Sequence, residues 1–383
     1  VRPVVERGKR NEVLNHGLNL VHDELWLGEE AAAVNNTVTN GAYVSVGLLS
    51  SAYQIDQNLT AYKAQLFSDW TDNFSTELSI SRKESENITS NLGGSDFAAF
   101  RVYLDPVGAT QRRSVVLGPE RSRHANSLTN DLNQYRFVAK YQNAGHRLTA
   151  GYEREDLEIY NVFVQAANGE YEFASLADLQ NRRASYINYQ NAGSNNKVDG
   201  GASFSYTTNT LFAQDEWDVN DRLTLRAGLR FDWYEMSDEP LYNKAFEDKY
   251  GFSNTHNLDG ISLLQPRFGF NYTFDSDRPT QLRGGVGLFG GAAPNVWLAG
   301  AYQNTGLNYI EYDERSIPAG AFTPDGNNPY IPAGGPASAR QNVDIIAPGT
   351  RLPSVWKANL AFDTELPWHG IVASAEFLYT KVN

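Results

Sequence analysis

The stretch Leu223-Thr-Leu-Arg-Ala-Gly-Leu-Arg-Phe-Asp-Trp233 decides the fold of this chain. Its odd-numbered positions are all apolar, and its even-numbered positions are polar, charged or glycine. Successive side chains of a β-strand point to opposite faces, so this alternation predicts a strand with one apolar face. The same alternation returns over 264–274, where the even-numbered positions are apolar. The chain therefore repeats one kind of strand.

Weaker alternation elsewhere in the chain brings the number of predicted strands to ten. Each has about 9 to 13 residues, whereas strands of soluble domains most often have about 5 or 6. A tilted strand needs roughly 9 to 11 residues to cross a bilayer, so these lengths favour membrane spanning. The predicted strands cover 60–70, 74–82, 132–142, 146–154, 209–218, 223–233, 264–274, 280–289, 355–366 and 371–380.

The connections between these strands alternate between short and very long. Tight turns are predicted at 71–73, 143–145, 220–222, 276–279 and 367–370, and long connections at 84–130, 158–206, 236–262 and 291–353. Short turns on the periplasmic side and long loops outside are typical of outer-membrane barrels. A soluble β-sandwich or propeller would instead need short, even connections. We therefore predict an all-β, antiparallel, up-and-down transmembrane β-barrel in a Gram-negative outer membrane, surrounded by lipid and lipopolysaccharide.

Four tryptophans support the same prediction by their positions. Trp70, Trp217, Trp233 and Trp356 lie at or near the ends of predicted strands. An aromatic ring there can sit at the headgroup level of a membrane. The alternative is that these rings belong to the core of a soluble sandwich.

Composition limits the function classes. The chain has no cysteine and a formal net charge of −13, which excludes thiolate chemistry and argues against a nucleic-acid partner. No run of 18 apolar residues is present, so no transmembrane helix is predicted. The histidines are scattered without a GxSxG or HExxH motif, so we predict neither an enzyme nor a cofactor or metal site. They are His16, His22, His124, His146, His256 and His369.

The ends of the chain differ from its middle. Residues 1–58 are predicted to form a loop-rich entry with a short helix over Asn11–Leu27, and residues 59–383 to form five hairpins with long loops. The chain starts without an initiator methionine and stops in mid-pattern, so both ends look cut. We expect this chain to contain about 10 to 12 strands of a larger barrel.

Two hairpins resemble those of TonB-dependent receptors. The run Thr210–Asp232 resembles their mid-barrel hairpin, in which a Gln-Asp-x-Trp-like tetrad turns into Leu-Thr-Leu-x-x-Gly-x-Arg-Phe-Asp. The runs Gln265–Tyr272 and Leu282–Phe289 look like the segment that follows it. Together with Gln65–Glu77, they are most similar to the Oar-like subgroup with very long surface loops.

The resemblance implies a barrel of about 22 strands whose lumen is closed by a plug. It also implies transport energised by the TonB-ExbB-ExbD system through a TonB box on that plug. We expect the plug, its TonB box and the C-terminal strands to lie outside this chain. A passive outer-membrane channel or a surface adhesin without TonB coupling is the alternative.

Candidate ligand residues fall into two groups. Arg226, Arg230, Arg267 and Arg283 lie on the lumen phase of neighbouring strands and could contact an anionic ligand or the plug. Alternatively, these arginines pair with Glu216 and Asp232 and form a solvated wall. Aromatic residues of the longest connection could stack on an unknown extracellular ligand or pack that connection onto itself. They are Tyr302, Tyr309, Tyr312, Phe322 and Tyr330.

Carboxylates of the 236–262 connection are the last candidates considered. Their oxygens are of the kind that Ca²⁺ prefers, but their spacing matches no known calcium loop, so solvated charge is the favoured interpretation. They are Asp238, Glu239, Glu247, Asp248 and Asp259.

Overall fold

The computed structural model describes residues 4–14, 45–110, 112–292, 295–315, 317–318, 320–330 and 342–383, with only the backbone path for 4–14. Its described strands are β1 Val4–Leu14, β2 Ser45–Gly47, β3 Tyr53–Thr71, β4 Phe74–Asn91, β5 Ala99–Tyr103, β6 Ser114–Leu117, β7 Ala125–Asn143, β8 His146–Val164, β9 Glu170–Phe173, β10 Tyr186–Ala192, β11 Ala202–Asn220, β12 Leu223–Glu235, β13 Ser262–Thr273, β14 Thr280–Gly290, β15 Tyr309–Glu314, β16 Ser354–Glu365 and β17 Val372–Val382. Its described α-helices are α1 Leu176–Gln180, α2 Lys244–Tyr250 and α3 Asn295–Gln303.

Eleven of these strands form one large antiparallel sheet, which we call the wall. Their order is β1-β3-β4-β7-β8-β11-β12-β13-β14-β16-β17, so each strand pairs with the next wall strand along the chain. This is the predicted up-and-down order, and all ten predicted strands belong to it. The wall is an open sheet with β1 and β17 as its end strands.

The eleventh wall strand corrects the prediction for the start of the chain. Residues 4–14 all pair with residues 53–63 of β3, whereas the sequence predicts a loop-rich entry there. The predicted helix over Asn11–Leu27 starts inside this strand, and its part from residue 15 onward lies outside the described residues. The sequence of β1 lacks clean alternation, so its place in the sheet depends on pairing with β3.

Several wall strands are longer than predicted. β3, β7, β8 and β11 each have 19 residues and β4 has 18. At about 3.3 Å per residue, such strands extend roughly 60 Å, about twice the thickness of a hydrocarbon core. The extensions hold polar residues on both faces, as at Lys83 and Glu84. Backbone pairing continues there while the alternation that predicted the strands is lost.

The two faces of the wall are inverted relative to a soluble sheet. The apolar phase is exposed, with 54% of Leu229 and 39% of Phe231 accessible. On the other face, which we call the polar face, Gln265 is only 2% accessible. A large exposed apolar surface marks contact with a membrane or a partner.

The tryptophans bound this apolar surface. Trp70 and Trp217 lie near the tight-turn ends of β3 and β11, and Trp233 and Trp356 lie near the opposite ends of β12 and β16. Trp217 pairs in register with Leu225, and the strand from Leu225 to Trp233 covers roughly 26 Å. That distance matches the apolar band of about 25 Å of transmembrane barrels.

The tight turns and the long connections lie at opposite ends of the wall. All five predicted turns join consecutive wall strands, and all the long connections emerge at the other end. No helix in the described part of the chain is long and apolar enough to cross a membrane.

The long connections build a second, six-stranded sheet in the order β15-β10-β9-β5-β6-β2. Its strands come from four different connections, and the pairs β5–β9 and β2–β6 are parallel. Tyr171, Phe173, Tyr189 and Tyr312 are almost fully buried on one of its faces. Burial of an apolar face is what holds layers of secondary structure together, so the connections form one packed layer.

Candidate functional site

The polar face of the wall is the candidate site. Alternation places every second side chain of each wall strand on this face, and the pairing register decides which of them become neighbours. Arg230 lies opposite Gln265, and Arg267 lies opposite Gly228 on one side and Gly287 on the other. The four predicted arginines therefore share this face, as expected from their phase.

A row of alternating charges crosses the polar face. Arg136 on β7 contacts Glu77 at 3.0 Å and Glu153 at 2.9 Å. Arg230 on β12 contacts Glu153 at 3.1 Å and Asp232 at 2.9 Å. Each cation thus lies between two carboxylates, and the row joins four strands with little net charge.

Two other predicted arginines are also paired. Arg226 contacts Glu216, which Arg147 also contacts. Arg283 contacts Asp363 at 3.0 Å. Pairing with Glu216 and Asp232 was the alternative to a free basic patch; Arg226 and Arg230 make these pairs, and Arg283 pairs with Asp363 instead. Exposed ion pairs of this kind contribute little to stability, because solvent screens them.

Arg267 differs from the other three. In the described part of the chain, no carboxylate lies within ion-pair distance of it. Its guanidinium donates to Gln265 Oε1 at 3.3 Å and lies 4.5 Å from the centre of the Phe289 ring.

Sequence reasoning did not single out several residues of this face, although the signal was present. Glu77, Arg136, Glu153 and Lys357 all occupy the polar phase of predicted strands. A complete list of charged residues in that phase would have found them. Their partners could not have been found, because these depend on the register between strands distant in sequence.

A cavity of about 420 Å³ lies where α3 meets the polar face. Tyr206 Oη donates to Asn295 Oδ1 at 2.8 Å, and the Gly290 N–H donates to Gln265 Oε1 at 2.8 Å, which fixes two of its edges. Small-molecule sites commonly have volumes of about 300 to 1,000 Å³. Other polar residues of its lining are Glu155, Thr208, Arg230, Asp232 and Arg267.

The predicted loop aromatics are mostly buried within the connections. Tyr302 stacks on Phe204 at 4.7 Å between ring centres, and Tyr309 donates to the Gly200 carbonyl at 2.8 Å. Tyr312 and Phe322 are buried in the core of the second sheet, which Tyr330 contacts while partly buried. They pack the connections onto themselves and onto the wall, and their role toward a ligand stays a prediction.

The carboxylates of the 236–262 connection are also tied to nearby groups. Asp238 accepts from the backbone and hydroxyl of Ser205 at 2.7 and 2.9 Å, and Asp248 pairs with Lys244 at 2.6 Å. Among the described residues, no group of three or more potential ligands is placed to hold a metal ion.

Burial shifts the pKa of a histidine and of a carboxylate in the connections. Burial lowers the pKa of His124 to about 3, so the ring is neutral at physiological pH. Burial also raises the pKa of Glu170, although the Arg121 guanidinium at 3.4 Å opposes this shift. On the apolar face, His146 Nδ1 donates to Asp215 Oδ2 at 2.7 Å. In the described part of the chain, His124, Glu170 and His146 each contact only nearby groups and do not form one site together.

The family follows from the match of residues 30–378 to the model described as outer membrane beta barrel domain. The chain belongs to this family. It is therefore located in the outer membrane of a Gram-negative bacterium, where the exposed apolar face meets lipid.

Comparison with solved structures finds outer-membrane transporters at low sequence identity. The outer membrane transporter YddB from Escherichia coli has a TM-score of 0.53 and 9% identity, over 89% of this chain and 35% of that one. The copper transporter OprC has a TM-score of 0.42 and 11% identity, over 85% of this chain and 38% of that one. The chain thus spans about a third of the length of these relatives. No curated protein matches it.

Proposed function

We propose that the chain forms part of the wall of a TonB-dependent outer-membrane transporter. The observation that supports this most is the wall's inverted character, with an apolar face toward lipid and a charged face that would line a lumen. The cavity beneath α3 gives that lumen a place where a solute can rest. The resemblance of the Thr210–Asp232 hairpin to TonB-dependent receptors adds the coupling to TonB.

In this proposal the long connections capture the ligand, and a plug outside this chain controls its entry. The complete barrel would have about 22 strands. The packed layer that the connections build agrees with the Oar-like subgroup, whose surface loops are very long. The alternating charges of the polar face give a solute a hydrated path with little net electric field. The wall would therefore not block passage, and the plug would control it.

Cysteine labelling in living cells tests this function without knowledge of the ligand. The chain has no cysteine, so a single cysteine gives a clean signal. In the full-length protein, Gln214→Cys places a thiol on the polar face of β11. Leu229→Cys places one on the apolar face of the neighbouring strand β12. A membrane-impermeant maleimide is added to cells with and without TonB.

A plugged, TonB-coupled barrel predicts slow labelling of Gln214→Cys that accelerates several-fold when the plug is deleted. Labelling should also be faster in cells with TonB than without it, and Leu229→Cys should stay unlabelled in both. Rapid labelling of Gln214→Cys that ignores TonB and plug deletion would indicate a passive channel or adhesin. Equal labelling of both positions would contradict a membrane wall.

A further inference from the structure

Two cationic side chains of the polar face converge on one aromatic ring. The Arg267 guanidinium carbon lies 4.5 Å from the centre of the Phe289 ring, and Lys357 Nζ lies 5.8 Å from it. Gly287 stands between them in the register, opposite Arg267 on β13 and opposite Lys357 on β16. Since glycine has no side chain, the Phe289 ring can lie over it, between the strands that carry the two cations.

The charges of this pair are not balanced by the protein in its described part. No carboxylate among the described residues lies within ion-pair distance of Arg267 or Lys357, whereas Arg226, Arg230 and Arg283 each have one. Two like charges near one ring repel each other, and the ring face offsets this only in part. An anion in contact with both cations would offset the repulsion.

The Arg267 stem and the Phe289 ring take up the space directly above Gly287. A Cβ at Gly287 would come within 3.1 Å of both Arg267 Cγ and Phe289 Cε2, so a larger residue would crowd the pair. Arg267 also borders the cavity of about 420 Å³ beneath α3. A solute in that cavity can therefore place a charged group against Arg267.

We infer that Arg267, Lys357 and Gly287 form a binding site for an oxyanion group, a carboxylate or phosphate, of a solute. The guanidinium suits two-point hydrogen bonding to an oxyanion, and the ammonium adds a mobile point charge. Phe289 supports both cations from its ring. This inference rests on the proposed transport function, because it names the chemistry of the solute that passes the wall.

Isothermal titration calorimetry of the purified full-length protein with citrate and with inorganic phosphate, at constant ionic strength, tests the site. The double variant Arg267→Gln/Lys357→Gln should bind the preferred probe at least tenfold more weakly than the wild type. Gly287→Ala should weaken binding in the same direction while keeping both charges. Arg226→Gln is the matched control, because it removes a cation of the same face that already has a carboxylate partner.

Stronger binding of citrate would assign a carboxylate solute, and stronger binding of phosphate a phosphorylated one. Equal loss in Arg226→Gln and in the double variant would overturn the site, since any cation of the face would then suffice. Absence of saturable binding in the wild type would also overturn the site. Arg267 and Lys357 would then have no affinity for an oxyanion, or another part of the protein would already contact them. Labelling that ignores TonB would refute the transport function alone and leave these binding results unchanged.

Discussion

His124 Nδ1 accepts a hydrogen bond from the backbone N–H of Asn168 at 3.1 Å, which ties the connection before β7 to the one after β8. The other ring nitrogen, Nε2, lies 3.2 Å from the Pro119 carbonyl and donates to it in this tautomer. A ring nitrogen that accepts a hydrogen bond carries no proton, so the His124 ring is neutral in this arrangement. Protonation would therefore break the link between the two connections.

This relationship predicts a pH-sensitive packing of the connections. The pKa of His124 falls from 6.5 to about 3 on burial, so the opened state binds a proton that the closed state excludes. Stability from this group is complete above pH 6.5 and declines as pH falls toward 3, by up to a few kcal/mol. The protection factors of the amides at residues 165–169, which are exchange rates corrected for the intrinsic effect of pH, should fall between pH 7 and pH 4. His124→Gln cannot titrate, so its protection factors should lose this pH dependence; an unchanged pH response would contradict the assignment.

The apolar face predicts where charge cannot be tolerated. Leu229 is exposed near the middle of the lipid-facing band, so Leu229→Arg should destabilise the folded wall by about 2 to 4 kcal/mol. Gln214→Arg, on the polar face of the neighbouring strand, should cost less than about 1 kcal/mol. Urea unfolding of the full-length protein in lipid vesicles measures both. Equal costs would argue against the orientation of the wall.

Gly151 marks a close approach within the wall. A Cβ there would lie 2.6 Å from the Phe137 carbonyl oxygen and 2.5 Å from Phe212 Cζ. Because a backbone atom cannot yield like a flexible side chain, Gly151→Ala should destabilise the wall by about 1 to 3 kcal/mol. Gly269→Ala is the control, since its nearest contact would be Gly284 O at 3.5 Å. The same unfolding measurement should show the control within about 0.5 kcal/mol of the wild type.

Phe322 holds the second sheet together. Its ring makes edge contacts to Phe100, Tyr171 and Phe173 at 5.3, 5.0 and 5.0 Å between centres. Phe322→Ala should therefore remove about 3 to 5 kcal/mol from this layer. Limited proteolysis of intact cells should cut the connections sooner, while the amount of wall protected in the membrane stays unchanged. Loss of the wall as well would show that the two sheets fold as one unit.

Glu153 joins two arginines of the charged row. Glu153→Gln should change stability by about 1 kcal/mol or less, because Arg136 keeps Glu77 and Arg230 keeps Asp232 as partners, and exposed pairs contribute little. A loss above about 2 kcal/mol in the unfolding assay would show that the row is a cooperative network.

The accuracy of the sequence predictions depended on how local each feature is. The ten alternating strands and five turns were predicted correctly, since alternation and turn residues act within a few positions. Strand β1 and the polar extensions of β4 and β8 were missed, because only pairing with neighbours makes them strands. The paired state of Arg226 and the burial of Tyr312 were left as alternatives, and the structure shows both.

By itself, the sequence determined which side chains share a face, because the two-residue period of a strand fixes the direction of each side chain. That was enough to give the apolar band, its tryptophan borders and the phase of the four arginines. Only the tertiary structure decided which charges meet, since the register between strands determines that Arg230 reaches Glu153 while Arg267 and Lys357 share Phe289. It also decided the second sheet, whose strands come from connections distant in sequence and pair only once the wall has brought their ends together.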